Sequence, residues 1–283
     1  MDVLTEIEPA RAAVRQAQRQ SRTVALVPTM GALHEGHLEL IRQSKGKCDI
    51  TAVTVFVNPT QFGPHEDLEG YPRTLDSDLA HCRTAGVDLV FAPSVETMYQ
   101  PDSTTTVSVR GLTAGLCGPF RPGHFDGVAT VVAKLFHILP ADAAFFGEKD
   151  YQQLAVIRRM VRDLNIPIDI VGVPTVRAAD GLALSSRNAY LTASQRRQAT
   201  SISGALFRAA DRVAAGQQIV SALVEDIRAQ IHMAGPVEIE YVDVVDPATL
   251  ERITHIDRQA RICVAVRIGP CRLIDNVGVD PCR

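Results

Sequence analysis

The stretch that decides the fold runs from residue 24 to residue 38 and reads Val24-Ala25-Leu26-Val27-Pro28-Thr29-Met30-Gly31-Ala32-Leu33-His34-Glu35-Gly36-His37-Leu38. Its four leading apolar residues precede a proline and predict a buried strand. An apolar-periodic run begins again near Leu38 and predicts a helix, so a tight turn that contains glycine joins the two elements. Such a turn directs backbone N–H groups and the positive end of the helix dipole to one point, where a phosphate can bind.

Two histidines, His34 and His37, lie at that point of the sequence. A pair with this spacing is also typical of a metal site or of ordinary helix caps, but no Cys/His cluster nearby completes a tetrahedral zinc set. Gly36 lets a backbone or a ligand approach closely, which favours phosphate. His-x-Gly-His by itself leaves these interpretations open.

The composition is that of a globular protein, with 283 residues, 46% hydrophobic and 22% charged. A net charge of −3 gives no overall basic field, which disfavours a nucleic-acid partner. The sequence shows neither a basic start followed by an apolar run nor an apolar stretch of about 18 residues, so we expect a cytoplasmic protein without a membrane segment. The cysteines show no C-x-x-C spacing and are expected to be reduced thiols. They are Cys48, Cys82, Cys117, Cys263, Cys271 and Cys282.

The order of elements predicts an α/β fold, a Rossmann-like doubly wound parallel sheet with helices on both faces. Strands are predicted at 24–27, 50–57, 89–91, 143–146 and 168–171, with helices at 11–20, 74–85, 127–139 and 151–164. The polar alternating stretch 104–109 is expected to be an edge strand or an excursion that leads into a surface loop.

A second, smaller α+β domain is predicted after Asn188, where the composition shifts. Two long helices, at about 192–214 and 217–234, precede strands at 237–245, 261–268 and 271–275. We place the catalytic domain at residues 1–180 and the C-terminal domain at 181–283.

Polar residues follow the strands at the edge where open α/β sheets bind ligands. Gly147-Glu148-Lys149-Asp150 places an ammonium beside a helix N-terminus, although a plain polar turn would look the same. Gln153 can share the helix face of Asp150. Ser185-Ser186-Arg187 can hold phosphate oxygens, or else open the next segment in solvent. Asn58 and Gln61 both donate and accept hydrogen bonds, which suits a small polar substrate, but turn residues would need no function.

Taken together, these motifs resemble the pantoate–β-alanine ligase family, a member of the nucleotidyltransferase superfamily with the His-x-Gly-His signature. One departure is Leu184, where the family usually has methionine; the similar volume should preserve the adenine-side packing. The matching stretches are 27–37, 56–62, 71–74, 121–125, 145–153, 185–188, 266–269 and 273–276.

The resemblance implies ATP-dependent ligation of pantoate and β-alanine to pantothenate, with AMP and pyrophosphate as products. It also implies an enzyme-bound pantoyl adenylate, a requirement for Mg²⁺, a cytoplasmic homodimer and a C-terminal domain that closes over the ATP site. The implied ATP-binding residues are Met30, Gly31, Ala32, Leu33, His34, Glu35, Gly36, His37, Gly147, Glu148, Lys149, Asp150, Val176, Leu184, Ser185, Ser186 and Arg187.

Roles within this set are also implied by the resemblance. His34, His37 and Lys149 are the implied catalytic residues, with His37 donating a proton to the departing pyrophosphate. Gln61 is implied to bind pantoate and β-alanine, Gln153 to bind pantoate, and Asn58 is a further candidate for substrate binding. Mg²⁺ is expected to be held mainly by ATP phosphates and water, with Asp78 or Asp150 as supports.

Two alternatives to this function remain open. A transferase of the same superfamily would leave the nucleotide on its product, and a regulatory module would bind the nucleotide without turnover. Gln61 and Gln153 beside the phosphate-binding groups favour an enzyme with two co-substrates. A tRNA synthetase shares the histidine signature, but the sequence shows no separate basic region for tRNA.

Overall fold

The computed structural model describes residues 1–64 and 66–281, which form two compact units. Unit 1 comprises Met1–Arg110, Arg121–Glu148 and Gln153–Pro174, and unit 2 comprises Gly111–Phe120, Lys149–Gln152 and the chain from Thr175 onward. The division at residues 180 and 181 stays a prediction, and each unit is described by itself.

Unit 1 contains a six-stranded parallel sheet with the strand order β1-β4-β3-β2-β5-β6. This architecture confirms the predicted Rossmann-like α/β fold. The strands are β1 (Asp2–Leu4), β2 (Val24–Thr29), β3 (Ile50–Val55), β4 (Leu89–Phe91), β5 (Ala143–Gly147) and β6 (Asp169–Val173). The helices are α1 (Ile7–Arg19), α2 (Glu35–Lys47), α3 (Leu75–Thr84), α4 (Val95–Met98), α5 (His124–Ile138) and α6 (Tyr151–Asp163), whose first two residues belong to unit 2.

The central position of β2 follows from its composition. Its residues 24–27 are fully buried, because β3 and β5 flank the strand and apolar side chains point to both faces of the sheet. From β2 the chain adds β3 and β4 on one side of the sheet and later β5 and β6 on the other side. The direction in which strands are added therefore reverses at β2. In open α/β sheets ligands bind beyond the carboxyl end of the strands at such a reversal, which is where the histidine turn begins.

Two features of unit 1 differ from the sequence prediction. The strand β1 was not predicted, because three half-exposed residues are too short to show an alternating pattern. Residues 103–110 contain no strand, so the excursion is confirmed and the edge strand is wrong. The backbone N–H of Val107 instead donates to Oγ1 of Thr130 on α5 (2.9 Å), which replaces a bond of a sheet ladder.

Unit 2 confirms the second, smaller α+β fold. Its helices are α7 (Ala193–Ala214) and α8 (Val220–Met233), and its antiparallel strands are β7 (Glu238–Val245), β8 (Ala260–Ile268) and β9 (Cys271–Val279), in that order across the sheet. Strand β9 extends beyond the predicted end at residue 275, because residues 276–279 continue the antiparallel pairing with β8 as far as Ala260. Asp275 binds the guanidinium of Arg177 through two hydrogen bonds of 2.7 and 2.9 Å.

Cys48, Cys82, Cys117, Cys263 and Cys271 take part in no disulfide among the described residues, and their reduced state stays a prediction. Cys282 lies outside the described residues. None of the helices in the described part of the chain has the length and apolar character needed to cross a membrane.

Candidate active site

The turn after β2 is held by buried hydroxyl groups. Oγ1 of Thr29 donates to the carbonyl oxygen of Thr54 (2.6 Å) and accepts the N–H of Gly31 (3.1 Å). Within this turn, Gly31 (φ +83°) and Ala32 (φ +50°) both adopt the left-handed conformation. That conformation is easy for glycine and costly for alanine, so Ala32 persists there only because its surroundings fix it.

Asp78, on the first turn of α3, supplies that fixation. Its carboxylate accepts the N–H of Ala32 (3.0 Å), the N–H of Leu33 (2.8 Å) and the hydroxyl of Thr74 (3.2 Å). The side chain is 1% exposed. A Cβ at Gly31 would lie 2.9 Å from Oδ2 of Asp78, so the glycine is also what allows this close approach.

His34 and His37 cap the N-terminus of α2 reciprocally. Nδ1 of His34 accepts the N–H of Gly36 (3.1 Å), and Nδ1 of His37 accepts the N–H of His34 (3.3 Å). The ring centroids lie 4.1 Å apart. Because each Nδ1 accepts, each neutral ring carries its proton on Nε2, where it can be donated to an anion. The capping and phosphate-binding interpretations are therefore compatible, since they use different ring nitrogens.

Gln61 and Asn58 follow β3, and both side chains are buried. Nε2 of Gln61 lies 2.9 Å from Sδ of Met30, so the structure brings the predicted pantoate ligand to the predicted nucleotide turn. Nδ2 of Asn58 donates to Oε1 of Gln61 and to the carbonyl oxygen of Gly127 (both 3.2 Å). Oδ1 of Asn58 accepts from the hydroxyls of Tyr99 (2.8 Å) and Thr60 (3.0 Å).

A second group of contacts holds the backbone of Gln61. His124 contacts the carbonyl oxygen of Gln61 through Nδ1 (2.8 Å) and accepts from Nη1 of Arg121 at Nε2 (3.0 Å). Arg121 also donates two hydrogen bonds of 2.6 Å to the carboxylate of Glu66. Burial raises the pKa of Glu66, but the hydrogen bonds and charge of Arg121 outweigh it, so the pKa lies below its ordinary value.

The other predicted residues of unit 1 lie at the end of β5 and the start of α6. Gly147 ends the strand and Glu148 follows it. Oε1 of Glu148 lies close to Gly172, where an added Cβ would be 3.3 Å from it. Gln153 is half-buried on the first turn of α6. Its role as a pantoate ligand stays a prediction.

In unit 2, Lys149 and Asp150 form a 3₁₀ turn that leads into α6. Nζ of Lys149 lies 3.7 Å from Oδ2 of Asp150, a loose ion pair. The carbonyl oxygen of Lys149 accepts the amide of Asn276 (2.9 Å), which anchors the backbone of the turn to β9. The anchored backbone leaves the long side chain to reach an anion.

The last predicted group of unit 2 lies on a short hairpin. The N–H of Leu184 donates to the carbonyl oxygen of Val176 (3.0 Å), which places these two predicted ATP-binding residues next to each other. Oγ of Ser185 then accepts the N–H of Arg187 (3.3 Å) and caps the 3₁₀ helix Ser186–Tyr190. The predicted run of residues 184–187 is thus a capped helix start, a common place for phosphate.

The two predicted magnesium supports, Asp78 and Asp150, differ in how well they could bind a metal ion. Within residues 1–64 and 66–281, no three His, Cys, Asp or Glu side chains are grouped so that they could hold a metal ion. Asp78 fits poorly, because both of its oxygens already accept hydrogen bonds. Asp150 is the more accessible carboxylate, with its side chain 48% exposed. Mg²⁺ commonly keeps several waters and binds one or two carboxylates together with substrate phosphates.

Sequence reasoning missed the groups that hold the site in place. These groups are Asp78, Tyr99 and Arg121. They bind Leu33, Asn58 and Glu66, respectively, and no local pattern connects the partners. Most of these partners are far apart in the chain. The closest sequence signal was Arg121 to Phe125, which carried the family resemblance without a role.

Comparison with known proteins gives a consistent result. The family model described as pantoate-beta-alanine ligase matches residues 2–278. Pantothenate synthetase of Novosphingobium aromaticivorans is 50% identical over 286 residues, covering 99% of this chain and 100% of the relative. Pantothenate synthetase of Dinoroseobacter shibae is 52% identical over 279 residues, covering 98% and 99%.

Solved structures show the same similarity. The crystal structure of pantothenate synthetase from Thermus thermophilus matches with a TM-score of 0.95 at 45% identity, covering 99% of this chain and 100% of that one. Pantoate-beta-alanine ligase from Francisella tularensis, crystallised with beta-gamma ATP and beta-alanine, matches with a TM-score of 0.81 at 32% identity, covering 98% and 97%.

Proposed function

The chain belongs to the pantoate–β-alanine ligase family and is an ATP-dependent ligase that joins pantoate to β-alanine; from this premise we propose how its own side chains carry out the reaction. The observation that carries the proposal is the histidine turn after β2, where both Nδ1 atoms accept backbone N–H groups, so that each neutral ring carries its proton on Nε2.

In the first step, a carboxylate oxygen of pantoate attacks the α-phosphorus of ATP. The bond from that phosphorus to the bridging oxygen breaks, and pantoyl adenylate and pyrophosphate form. The Nε2–H groups of His34 and His37 donate hydrogen bonds to phosphate oxygens on which charge develops, and His37 keeps its proton while it stabilises the departing pyrophosphate through this hydrogen bond. Donors that are already oriented need no reorganisation as the charge moves, which is why they stabilise the transition state.

Lys149 acts on the same charge. We assign its ammonium to the phosphates, together with the predicted nucleotide residues 147–150, Val176 and 184–187. Pyrophosphate gains negative charge as it leaves, so a flexible cation that follows it stabilises the transition state more than bound ATP.

Gln61 and Gln153 bind pantoate, and Gln61 also contacts β-alanine. The position of Gln61 next to Met30 supports this assignment, because pantoate must meet the α-phosphate beside the nucleotide turn. In the second step, the β-alanine amine attacks the acyl carbon, loses a proton and displaces AMP, which leaves with one oxygen of the original carboxylate.

Several further properties belong to this proposal. Mg²⁺, held mainly by ATP phosphate oxygens with Asp150 as support, would neutralise phosphate charge. The enzyme works in the cytoplasm as a homodimer, as the family resemblance implies, and its partners are small molecules.

The test follows the oxygen atoms. Pantoate labelled with ¹⁸O in its carboxylate should pass one label to AMP during turnover, and ATP with pantoate alone should release about one equivalent of pyrophosphate per site. Label in pyrophosphate, or none in AMP, would refute the adenylate route. A product that keeps the nucleotide would instead identify a transferase of the same superfamily.

A further inference from the structure

Asn58 is buried, with 1% of its surface exposed. All of the hydrogen-bonding capacity of its side chain is used inside unit 1. Its amide nitrogen has two protons, which go to Gln61 and to the carbonyl oxygen of Gly127. Its amide oxygen has two lone pairs, which accept from Tyr99 and Thr60. A side-chain amide has no further donors or acceptors, so Asn58 has none left for a substrate.

The orientation of this amide is fixed by chemistry. A backbone carbonyl can only accept, so the atom of Asn58 that faces the Gly127 carbonyl must be Nδ2. That leaves Oδ1 facing the two hydroxyls, which can both donate. Burial raises the pKa of Tyr99 and outweighs the opposing effect of the neighbouring Thr60 hydroxyl, so the phenol keeps the proton that it donates to Oδ1.

The fixed amide of Asn58 in turn fixes the amide of Gln61. With Nδ2 of Asn58 as donor, the facing atom of Gln61 must be its acceptor, Oε1. The other end, Nε2, then points to the nucleotide turn, where it lies 2.9 Å from Sδ of Met30. Gln61 is itself 8% exposed, so a reversed amide would face Nδ2 with a second N–H₂ group and leave both buried donors poorly paired.

We propose that Asn58 is a positioning residue that locks the Gln61 amide with its N–H₂ group toward the substrate, so that Gln61 selects an oxygen acceptor. This inference rests on the proposed function and deepens it. A carboxylate offers only acceptors, whereas a hydroxyl could be bound by either end of an unlocked amide. The lock therefore leaves Gln61 with donors only on the substrate side, which match an oxygen of the pantoate carboxylate, the group that attacks ATP.

The close approach of α5 supports the same assignment. At Gly127 an added Cβ would lie 2.3 Å from the carbonyl oxygen of Thr60 and 2.7 Å from Cα of Gln61. Only glycine lets the helix carbonyl come within hydrogen-bonding distance of Asn58. The carbonyl that fixes the amide thus depends on a position without a side chain.

The experiment is a double-mutant cycle on the full-length protein. Pantothenate formation is measured against pantoate concentration, at saturating ATP and β-alanine, for wild type, Asn58→Asp, Gln61→Ala and the double variant. Aspartate keeps the size of asparagine but cannot donate at δ2. We expect each single change to raise the pantoate KM at least tenfold and the ATP KM less than twofold.

The double variant decides the question. If Asn58 acts through Gln61, the double variant should show a pantoate KM within twofold of that of Gln61→Ala. If the two effects multiply, Asn58 acts independently and the proposal is wrong. A wild type that makes no pantothenate would refute the proposed function instead, so the two failures are distinguishable.

A matched variant covers the case in which Asn58→Asp does not fold. Tyr99→Phe removes one donor to Oδ1 but leaves both contacts of Nδ2, so Gln61 should stay locked and the pantoate KM should change less than threefold. A rise as large as that of Gln61→Ala would overturn the assignment. Asn58→Ala, which removes the amide without adding charge, can replace aspartate in the cycle.

Discussion

At the scale of single residues, the site depends on side chains that use one atom for structure and another for chemistry. His34 and His37 accept backbone N–H groups at Nδ1, which fixes their tautomer, and thereby present Nε2–H. A cap satisfies one of the unpaired N–H groups of a helix start. The proposed catalytic donors are therefore oriented by the same bonds that begin α2.

His34→Asn should separate the two tasks. Asparagine is among the best helix caps and places an acceptor near the position of Nδ1, but it has no counterpart of Nε2. We expect the melting temperature to stay close to wild type while kcat falls about 100-fold, since one oriented oxyanion donor contributes roughly 2.7 to 4 kcal/mol. Stopped-flow pyrophosphate release measures the rate; unchanged release would remove His34 from the catalytic set.

Asp78→Asn tests whether that residue holds the turn or the metal. One amide group cannot accept both backbone N–H groups of the turn, and each unpaired buried donor costs about 1–3 kcal/mol. We expect a lower melting temperature and at least a tenfold loss in kcat/KM for ATP, with an unchanged Mg²⁺ concentration for half-maximal activity. Asp76→Asn is the control, because Asp76 is exposed on the same helix turn. A shifted Mg²⁺ requirement would indicate a metal ligand.

At the scale of elements, α5 and the turn after β3 approach each other through a position that has no side chain. Gly127 lies inside a helix, where glycine is about 1 kcal/mol less favourable than alanine. The cost is offset by the contact that it permits with the turn 58–61. Helix propensity and site geometry therefore oppose each other at this residue.

Gly127→Ala should destabilise the protein, because the clash of the added Cβ outweighs the gain in helix propensity. The added Cβ meets backbone atoms, which cannot move away as a flexible side chain would, so we expect a lower melting temperature and a pantoate KM raised at least tenfold. Gly204→Ala on α7 is the matched control: nothing lies within 4 Å of its added Cβ, and it should stabilise the protein by up to about 1 kcal/mol. Equal effects of both substitutions in calorimetry would contradict this explanation.

Most elements could be predicted from the sequence because their signals are local. The apolar run of β2, the glycine turn and the helix restart at Leu38 lie within one short stretch, and the structure places all three there. Strand β1 could not be predicted, since three residues carry no period. The tail of β9, residues 276–279, was missed because the buried Asn276 pairs with groups that are far away in sequence, such as the carbonyl oxygen of Lys149. The hydrogen-bond networks around Asn58 and Asp78 could not be predicted either, because their partners are also far apart in sequence.

At the scale of the whole molecule, charge determines how stability depends on pH. Backbone N–H groups of Thr23 and Ala248 are the largest causes that lower the pKa of Asp49 and Asp246. The pKa of Glu66 is lowered by Arg121 against its burial. The carboxyls with a lowered pKa are Asp49, Glu66, Glu96, Asp180, Asp226 and Asp246.

These shifts predict a loss of stability on the acid side. As the pH falls through the ordinary values of 3.8 for Asp and 4.5 for Glu, the unfolded chain binds protons before the folded chain does, so the free energy of unfolding decreases. It should be fully retained above those values and decrease until the folded carboxyls are protonated. Urea unfolding at a series of pH values measures this. The difference between wild type and Glu66→Gln should shrink on acidification, and a constant difference would contradict the role of Arg121.

The strand order of unit 1 has a consequence for synthesis on the ribosome, where the N-terminus emerges first. Strand β1 lies at the edge of the sheet and pairs with β4, with Asp2 opposite Leu89, so the first strand made must wait for the fourth. Strand β2 gains β3 soon after it emerges, but Ala25 pairs with Ala143 on its other side. The histidine turn is thus flanked on one side only until β5 has left the exit tunnel, and we expect nascent chains stalled before residue 143 to lack a protected β2.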